Sequence, residues 1–89
     1  NAFLSTKVTF ANMLKNKCDQ LGVNYKPVKT MMQHSIDPTT HWDVPGPDGK
    51  YGFGGKCLPK DTTHFGSIDN DFLSSTVLHL NKIYRDNDS

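Results

Sequence analysis

The chain has 89 residues, which suits a single small domain, because folding units usually contain about 100 to 200 residues. Ten basic and nine acidic side chains leave a net charge of +1. This charge is too weak to hold a nucleic-acid backbone or an anionic membrane surface. The mean hydropathy is −0.58, and no run approaches the roughly 18 apolar residues of a membrane span. These values predict a soluble domain with a modest core.

The start of the chain and its two cysteines bear on its context. The sequence opens on the apolar turn Asn1-Ala2-Phe3-Leu4, without an initiator Met or a signal peptide, which predicts a segment of a longer protein. Cys18 and Cys57 are too few for the disulfide framework of a small secreted domain. A reducing compartment, the cytoplasm, is therefore expected.

The first predicted element is a long amphipathic helix from Phe3 to Leu21, with Gly22 as its stop. Its apolar residues recur at spacings of three and four: Leu4, Val8, Ala11, Leu14, Cys18 and Leu21. This stripe places Cys18 in the core. Three further apolar side chains lie off the stripe: Phe3, Phe10 and Met13. The helix is therefore expected to pack on two neighbours, one of them a second copy of the chain.

Two more helices are predicted. The second has Asn24 as N-cap and Pro27 in its first turn, runs to about Ile36, and is ended by Asp37-Pro38. The last opens at Asp69, and its apolar positions follow helical intervals as far as Tyr84. No strand pattern of similar quality is present, so the predicted fold class is all-α. The polar end, residues 85 to 89, is expected to fray.

A glycine-rich and proline-rich segment without periodicity separates these helices, over residues 37 to 60. Structureless loops longer than about 12 to 15 residues are usually functional or disordered. Apolar anchors favour an ordered, functional loop over a disordered one: Trp42, Tyr51, Phe53 and Leu58.

The chemistry concentrates in the run GFGGKCLPKD, residues 52 to 61. Its glycines permit a tight turn that presents Cys57. The flanking lysines, and a short helix with Asp61 as N-cap running to about Phe65, would favour a reactive thiolate. From spacing alone, an ordinary loop cysteine remains an equal alternative.

This run resembles the Gly-x-Gly-Gly-x-Cys-x-x-Lys-Asp signature of the UDP-glucose/GDP-mannose dehydrogenase family. The opening residues 1 to 12 also resemble the start of that family's long central helix, and the likeness covers about residues 1 to 66. It implies a single helical central domain over residues 1 to 89, similar to the 6-phosphogluconate dehydrogenase C-terminal-like fold. It also implies a homodimer formed through the long first helix.

The resemblance further implies an NAD-dependent oxidation of a sugar C6 alcohol to the uronic acid. Cys57 would be the nucleophile, passing through a thiohemiacetal and a thioester. Asp61 would assist water or proton transfer, and Asn1 would support the oxyanion together with a lysine four residues before it. Phe53, Gly54 and Lys60 would contact the nucleotide sugar.

The sequence also departs from the family pattern. Where members commonly carry Asp-x-Arg-Ile-Gly, this chain has Asp37-Pro38-Thr39-Thr40, so the arginine that anchors substrate is replaced by Thr39. Lys50, in an insertion-like segment, is a candidate substitute. The glycines at 52 to 55 do not form the strand-following Gly-x-Gly-x-x-Gly turn of a dinucleotide fold. NAD is therefore expected to bind elsewhere in the complete enzyme, and the isolated chain should be inactive.

Three alternatives remain beside this interpretation. A metal site is disfavoured because its candidate ligands lack close zinc-site spacing: His34, His41, Cys57 and His64. Single-strand nucleic-acid binding by lysines 50, 56 and 60 is disfavoured by the near-neutral charge. A non-catalytic dimerisation module that retains a relic cysteine loop stays open.

His79 and Lys82 are predicted to be exposed. The sequence does not distinguish UDP-glucose from GDP-mannose or an N-acetylhexosamine derivative as substrate.

Overall fold

A computed structural model describes residues 1–87. Within them the chain forms helices and turns but no strand, which confirms the all-α prediction. The elements in chain order are α1 (Ala2–Leu21), α2 (Tyr25–Ser35), a 3₁₀ helix (Thr40–Trp42), α3 (Cys57–Ser67) and α4 (Phe72–Asn87). None of the helices in this part of the chain is long and apolar enough to cross a membrane.

Helix α1 is the central element, and it packs against α3, α4 and the 3₁₀ helix. It ends as predicted at Gly22, whose φ of 69° is left-handed and lets the Val23 N–H reach the Cys18 carbonyl over 2.8 Å. Ala11 and Cys18 are buried, so the core position predicted for Cys18 is confirmed. Leu21, the last residue of the helix and of the predicted apolar stripe, is 77% exposed.

Helix α2 follows the prediction at both ends. The Asn24 side chain accepts a hydrogen bond from the Lys26 N–H over 3.1 Å, which is the expected N-cap. The buried Tyr25 then donates from its hydroxyl to the Trp42 carbonyl over 2.6 Å. This bond ties α2 to the 3₁₀ helix.

The prediction for α3 was wrong at its start. The helix begins at Cys57, not at Asp61, and no side chain caps it. Pro59 falls within the first turn, where a missing N–H costs nothing because the first four amides have no intrahelical partner. Cys57 is therefore a helical residue, and Asp61 lies one turn inside the helix.

The limits predicted for α4 were also wrong. The helix begins at Phe72, and its cap is Asp71, whose carboxylate accepts from the Ser74 N–H over 2.7 Å. Asn70, with a φ of 55°, interrupts the backbone before it, so Asp69 cannot open the helix. Fraying was expected from Arg85 onward, yet α4 continues to Asn87. Residues 88 and 89 lie outside the described residues.

The segment over residues 37 to 60 is not free of structure, since it contains the 3₁₀ helix and the first turn of α3. Trp42 and Phe53 are both buried, as their role as anchors predicted. The Trp42 indole N–H donates to the Asp37 carbonyl over 3.1 Å, and the ring meets Phe10 edge-on at 6.2 Å between centroids. These contacts fix the segment against α1 and position the cysteine loop.

Candidate active site

Cys57 is the first residue of α3, and its side chain is exposed. Asp61 lies four residues further along, on the same face of the helix, because residues at i and i+4 are neighbours on a helix surface. The α3 amino end carries the partial positive charge of the helix dipole, which favours negative charge beside Cys57. An exposed thiol and a carboxylate are thus held about one helical turn apart.

Asn1 and Asp61 meet although they are distant in sequence. The Asn1 side-chain amide donates to an Asp61 carboxylate oxygen over 2.7 Å. One turn further along α1, the fully buried Ser5 and Thr62 hydroxyls are also bonded. The start of α1 therefore lies beside α3, and three sequence-predicted catalytic residues occupy one surface region.

The glycine turn before Cys57 is held from α1. The Gly52 N–H donates to the Asn12 side-chain oxygen over 2.8 Å, and Asn12 is only 2% exposed. Gly52 has a φ of 74°, which strongly favours glycine. A Cβ atom there would also collide with the Asn81 side chain.

Phe53 is held from α4 through its backbone. Its N–H donates to the Asn81 side-chain oxygen over 2.6 Å, and its carbonyl accepts from the same amide over 3.0 Å. The Arg85 Nε donates to that carbonyl as well, over 2.9 Å. Both main-chain groups of Phe53 are therefore occupied within the chain.

Arg85 connects the loop to the segment before it. Its guanidinium also pairs with the Asp48 carboxylate at 2.7 Å, and it holds the pKa of that carboxyl below its usual range. The same guanidinium lies against Gly54, where an added Cβ would stand 2.6 Å from a terminal nitrogen of Arg85. The sequence interpretation missed Asn12, Asn81 and Arg85. Asn81 lay on the predicted last helix and Arg85 just beyond its predicted end, so their i, i+4 spacing would have been a signal only if that helix had been extended past Tyr84.

A cleft of about 470 Å³ opens beside this loop. Its apolar and polar lining includes Leu4, Val8, Thr40, His41, Asp43, Asp48, Phe53, Leu58 and Arg85, together with the glycines at 52, 54 and 55. The His41 Nδ1 is buried there without a hydrogen-bond partner. Phe53 and Gly54, both predicted to contact substrate, line the cleft, whereas the predicted catalytic residues Cys57, Asp61 and Asn1 are not among its lining residues.

Three other predicted or discussed positions lie apart from the cleft lining. Lys60 is exposed on α3 and lines a separate shallow surface with Lys56 and His64. Thr39, in the position of the family's arginine, caps the 3₁₀ helix by accepting from the His41 N–H over 3.4 Å. Lys50 is exposed in the turn between Gly46 and Tyr51. Neither Thr39 nor Lys50 lines the cleft.

Metal binding finds no support in residues 1–87. No cluster of three or more His, Cys, Asp or Glu side chains in that range could hold an ion. The candidate ligands considered from the sequence are therefore not brought together in the described part of the chain.

Comparison with known proteins bears on the family. The central domain of the UDP-glucose/GDP-mannose dehydrogenase family matches residues 1–85. The chain belongs to this family. The match extends through α4, beyond the first 66 residues that the sequence resemblance covered, and includes Asn81 and Arg85.

Several curated relatives are similar over most of the chain. The UDP-glucose 6-dehydrogenase of Rickettsia bellii is 34% identical over 88% of this chain and 17% of its own length. UDP-glucose 6-dehydrogenase YwqF of Bacillus subtilis is 33% identical over 91% of this chain and 19% of its own. The GDP-mannose 6-dehydrogenase of Pseudomonas syringae pv. tomato is 34% identical over 100% of this chain and 20% of its own.

The chain thus spans about a fifth of the length of these relatives. No solved structure matches it significantly. The family membership therefore rests on sequence, and the helical architecture is compatible with a central domain of such an enzyme.

Proposed function

We propose that this chain is the catalytic-cysteine domain of an NAD-dependent nucleotide-sugar 6-dehydrogenase, acting in the cytoplasm. The observation that carries the proposal is the grouping of Cys57, Asp61 and Asn1. An exposed cysteine opens α3, and the carboxylate one turn later is bonded to Asn1 at 2.7 Å. Family membership supplies the reaction class.

Cys57 captures and then releases the carbonyl carbon of the sugar. Its thiolate adds to the C6 aldehyde, forming a carbon–sulfur bond and moving the carbonyl electron pair onto oxygen, which takes a proton to give a thiohemiacetal. After the second oxidation the same carbon is a thioester. Water then adds to it, the carbon–sulfur bond breaks, and the carboxylate and the thiolate are released. The reactive aldehyde therefore stays bound throughout.

Asp61 and Asn1 assist these steps. The Asp61 carboxylate takes a proton from the attacking water, within reach of Cys57 on the same helix face. The Asn1 side chain holds Asp61 in place and can turn an N–H donor toward the oxyanion. The lysine expected four residues before Asn1 would stand beside them.

The cleft of about 470 Å³ is the proposed site for the sugar nucleotide. Phe53 and Gly54 both line this cleft, with the Phe53 side chain largely buried and the Arg85 guanidinium lying against Gly54. Lys60, exposed on α3, would contact the ligand from outside the cleft. Relatives carry the names UDP-glucose 6-dehydrogenase and GDP-mannose 6-dehydrogenase, so the proposed substrate class is a nucleoside-diphosphate hexose.

The described residues do not fit NAD. They form no strand, and the glycines at 52 to 55 lead from an irregular segment into α3, so no dinucleotide-binding βαβ unit is present within them. Bound outside the described residues in the complete enzyme, NAD would supply the hydride acceptor for the two oxidations. The roles assigned here to this chain are capture, positioning and hydrolysis.

A homodimer is part of the proposal. Phe3 is 75% exposed and Phe10 is 44% exposed on α1, which supports association through that helix. Sedimentation of the chain at tens of micromolar should reveal a dimer, and Phe3→Ser should weaken it. A monomer at that concentration would contradict this part of the proposal.

A chimera tests the catalytic proposal. Residues 1–85 would replace the matching segment of Bacillus subtilis YwqF, and NADH formation with UDP-glucose and GDP-mannose would be followed. Activity should depend on Cys57, so Cys57→Ser should abolish acid production, whereas Cys18→Ser, at the other cysteine, should retain it. Acid production by the Cys57→Ser chimera would remove Cys57 from the mechanism and favour a non-catalytic module with a relic loop.

A further inference from the structure

The backbone of the cysteine loop is held by side chains of α4, a helix that carries none of the three predicted catalytic residues. Asn81 bonds to both main-chain groups of Phe53, in the manner of a neighbouring strand. Arg85, one turn later, adds a second donor to the same carbonyl and pairs with Asp48. We propose that Asn81 and Arg85 are positioning residues that hold Cys57 in its reactive place.

The path from this contact to the nucleophile is short. Three residues separate Phe53 from Cys57, and two of them are glycines, which provide little stiffness of their own. The Gly55 φ of 78° adds a left-handed step just before α3. Because the connection is so short, a fixed Phe53 peptide limits where the first turn of α3 can begin.

That first turn needs external support. No side chain caps α3, and its first backbone bond, from the Lys60 N–H to the Lys56 carbonyl, is long at 3.3 Å. Helix ends without capping side chains fray readily. The anchored loop thus substitutes for a cap at the turn that carries Cys57.

The contact is also partly buried. Phe53 is 4% exposed, and the Arg85 guanidinium is pinned between the Phe53 carbonyl and the Asp48 carboxylate, against Gly54. Charge-assisted hydrogen bonds in such places are stronger than neutral ones. Arg85 in this way links α4, the segment around Asp48 and the cysteine loop.

Amide hydrogen exchange on the full 89-residue chain tests the inference without any enzyme activity. Asn81→Ala should raise exchange at the Phe53 amide and also at the Lys60 amide, each by about tenfold or more, through local opening. Lys82→Ala, an exposed neighbour on α4, is the matched control and should change neither. If exchange at the Phe53 amide becomes faster while exchange at the Lys60 amide is unchanged, Asn81 affects only the Phe53 peptide, and the proposal is overturned.

Arg85→Lys keeps the test decisive if Asn81→Ala unfolds the chain. Lysine retains the positive charge and the reach toward Asp48. It cannot hold the Phe53 carbonyl oxygen and the Asp48 carboxylate oxygen together with the fixed geometry of a guanidinium. The Lys60 amide should again exchange faster than in wild type, while amides in the middle of α1 stay unchanged. Unchanged exchange at Lys60 would contradict the positioning role.

Because the inference rests on the proposed role of Cys57, the chimera separates the two claims. Arg85→Lys should lower kcat by about tenfold or more while KM changes less than about threefold, since misplacing a nucleophile acts on the chemical step. If the Arg85→Lys chimera keeps the wild-type kcat while the Cys57→Ser chimera is inactive, the positioning role is refuted and the catalytic proposal stands. An active Cys57→Ser chimera, with exchange still responding at Lys60, would refute the catalytic proposal and leave the positioning of the turn standing.

Discussion

Thr62 donates from its hydroxyl to the hydroxyl of Ser5 over 2.7 Å, where α1 crosses α3, and both side chains are almost fully buried. This is the deepest polar contact between the helices that carry Asn1 and Asp61. Thr62 is the residue after Asp61, so this buried bond and the Asn1 to Asp61 bond at the surface join the same two segments.

Thr62→Val should destabilise the chain by about 1–3 kcal/mol, because the Ser5 hydroxyl would remain buried without this partner. Thr63→Val, on the exposed side of α3, should change stability by less than about 0.5 kcal/mol. Urea unfolding measures both. The double variant Ser5→Ala/Thr62→Val should recover part of the loss, and an additive loss would show that the two hydroxyls are not coupled.

The helices were largely predictable, because apolar spacing and capping are local signals. Gly22 and Asn24 stop and start helices in the predicted places, for reasons contained in a few neighbouring residues. The start of α3 was not, since no side chain caps it and its position depends on the loop held by Asn81. Loop anchoring of this kind joins residues that are distant in sequence, and periodicity cannot reveal it.

The candidate site was predicted in part for the same reason. Cys57 and Asp61 belong to one continuous motif, and the resemblance added Asn1, which the fold brings to Asp61. Arg85 belonged to a polar C-terminal segment that was expected to fray, because a polar composition favours exposure to solvent. Its burial against Gly54 follows from the fold alone.

The buried Tyr25 should make the folded chain less stable at high pH. Burial raises the pKa of its phenol to about 12, so the neutral form is favoured in the folded chain. The contribution of the neutral phenol to the free energy of unfolding is complete below the ordinary tyrosine pKa of about 10. It is lost as the pH rises toward 12. The stability advantage of wild type over Tyr25→Phe should therefore shrink by roughly 2 kcal/mol between pH 9 and 12. A difference independent of pH over that range would contradict the raised pKa.

Gly54 and Arg85 should be energetically coupled. A methyl group at Gly54 would stand 2.6 Å from the Arg85 guanidinium, so Gly54→Ala must displace that side chain from the Phe53 carbonyl and from Asp48. In wild type this should cost about 1–3 kcal/mol in urea unfolding, as overpacking usually does. In an Arg85→Ala background the three closest contacts of that methyl group are removed, and the cost of the same substitution should fall below about 1 kcal/mol. Equal costs in both backgrounds would mean that the guanidinium does not restrict Gly54.

The two cysteines should differ sharply toward iodoacetamide. Cys57 is exposed at the start of α3, whereas Cys18 is 6% exposed in the core, so alkylation of Cys18 requires an opening of the fold. Under native conditions at neutral pH, mass spectrometry should find one rapid adduct at Cys57 and labelling of Cys18 slower by about a hundredfold or more. Urea above the unfolding midpoint should bring the two rates together, which serves as the control for intrinsic reactivity. Comparable native rates would show that Cys18 is not buried or that Cys57 is not presented, and the proposed nucleophile would lose its structural support.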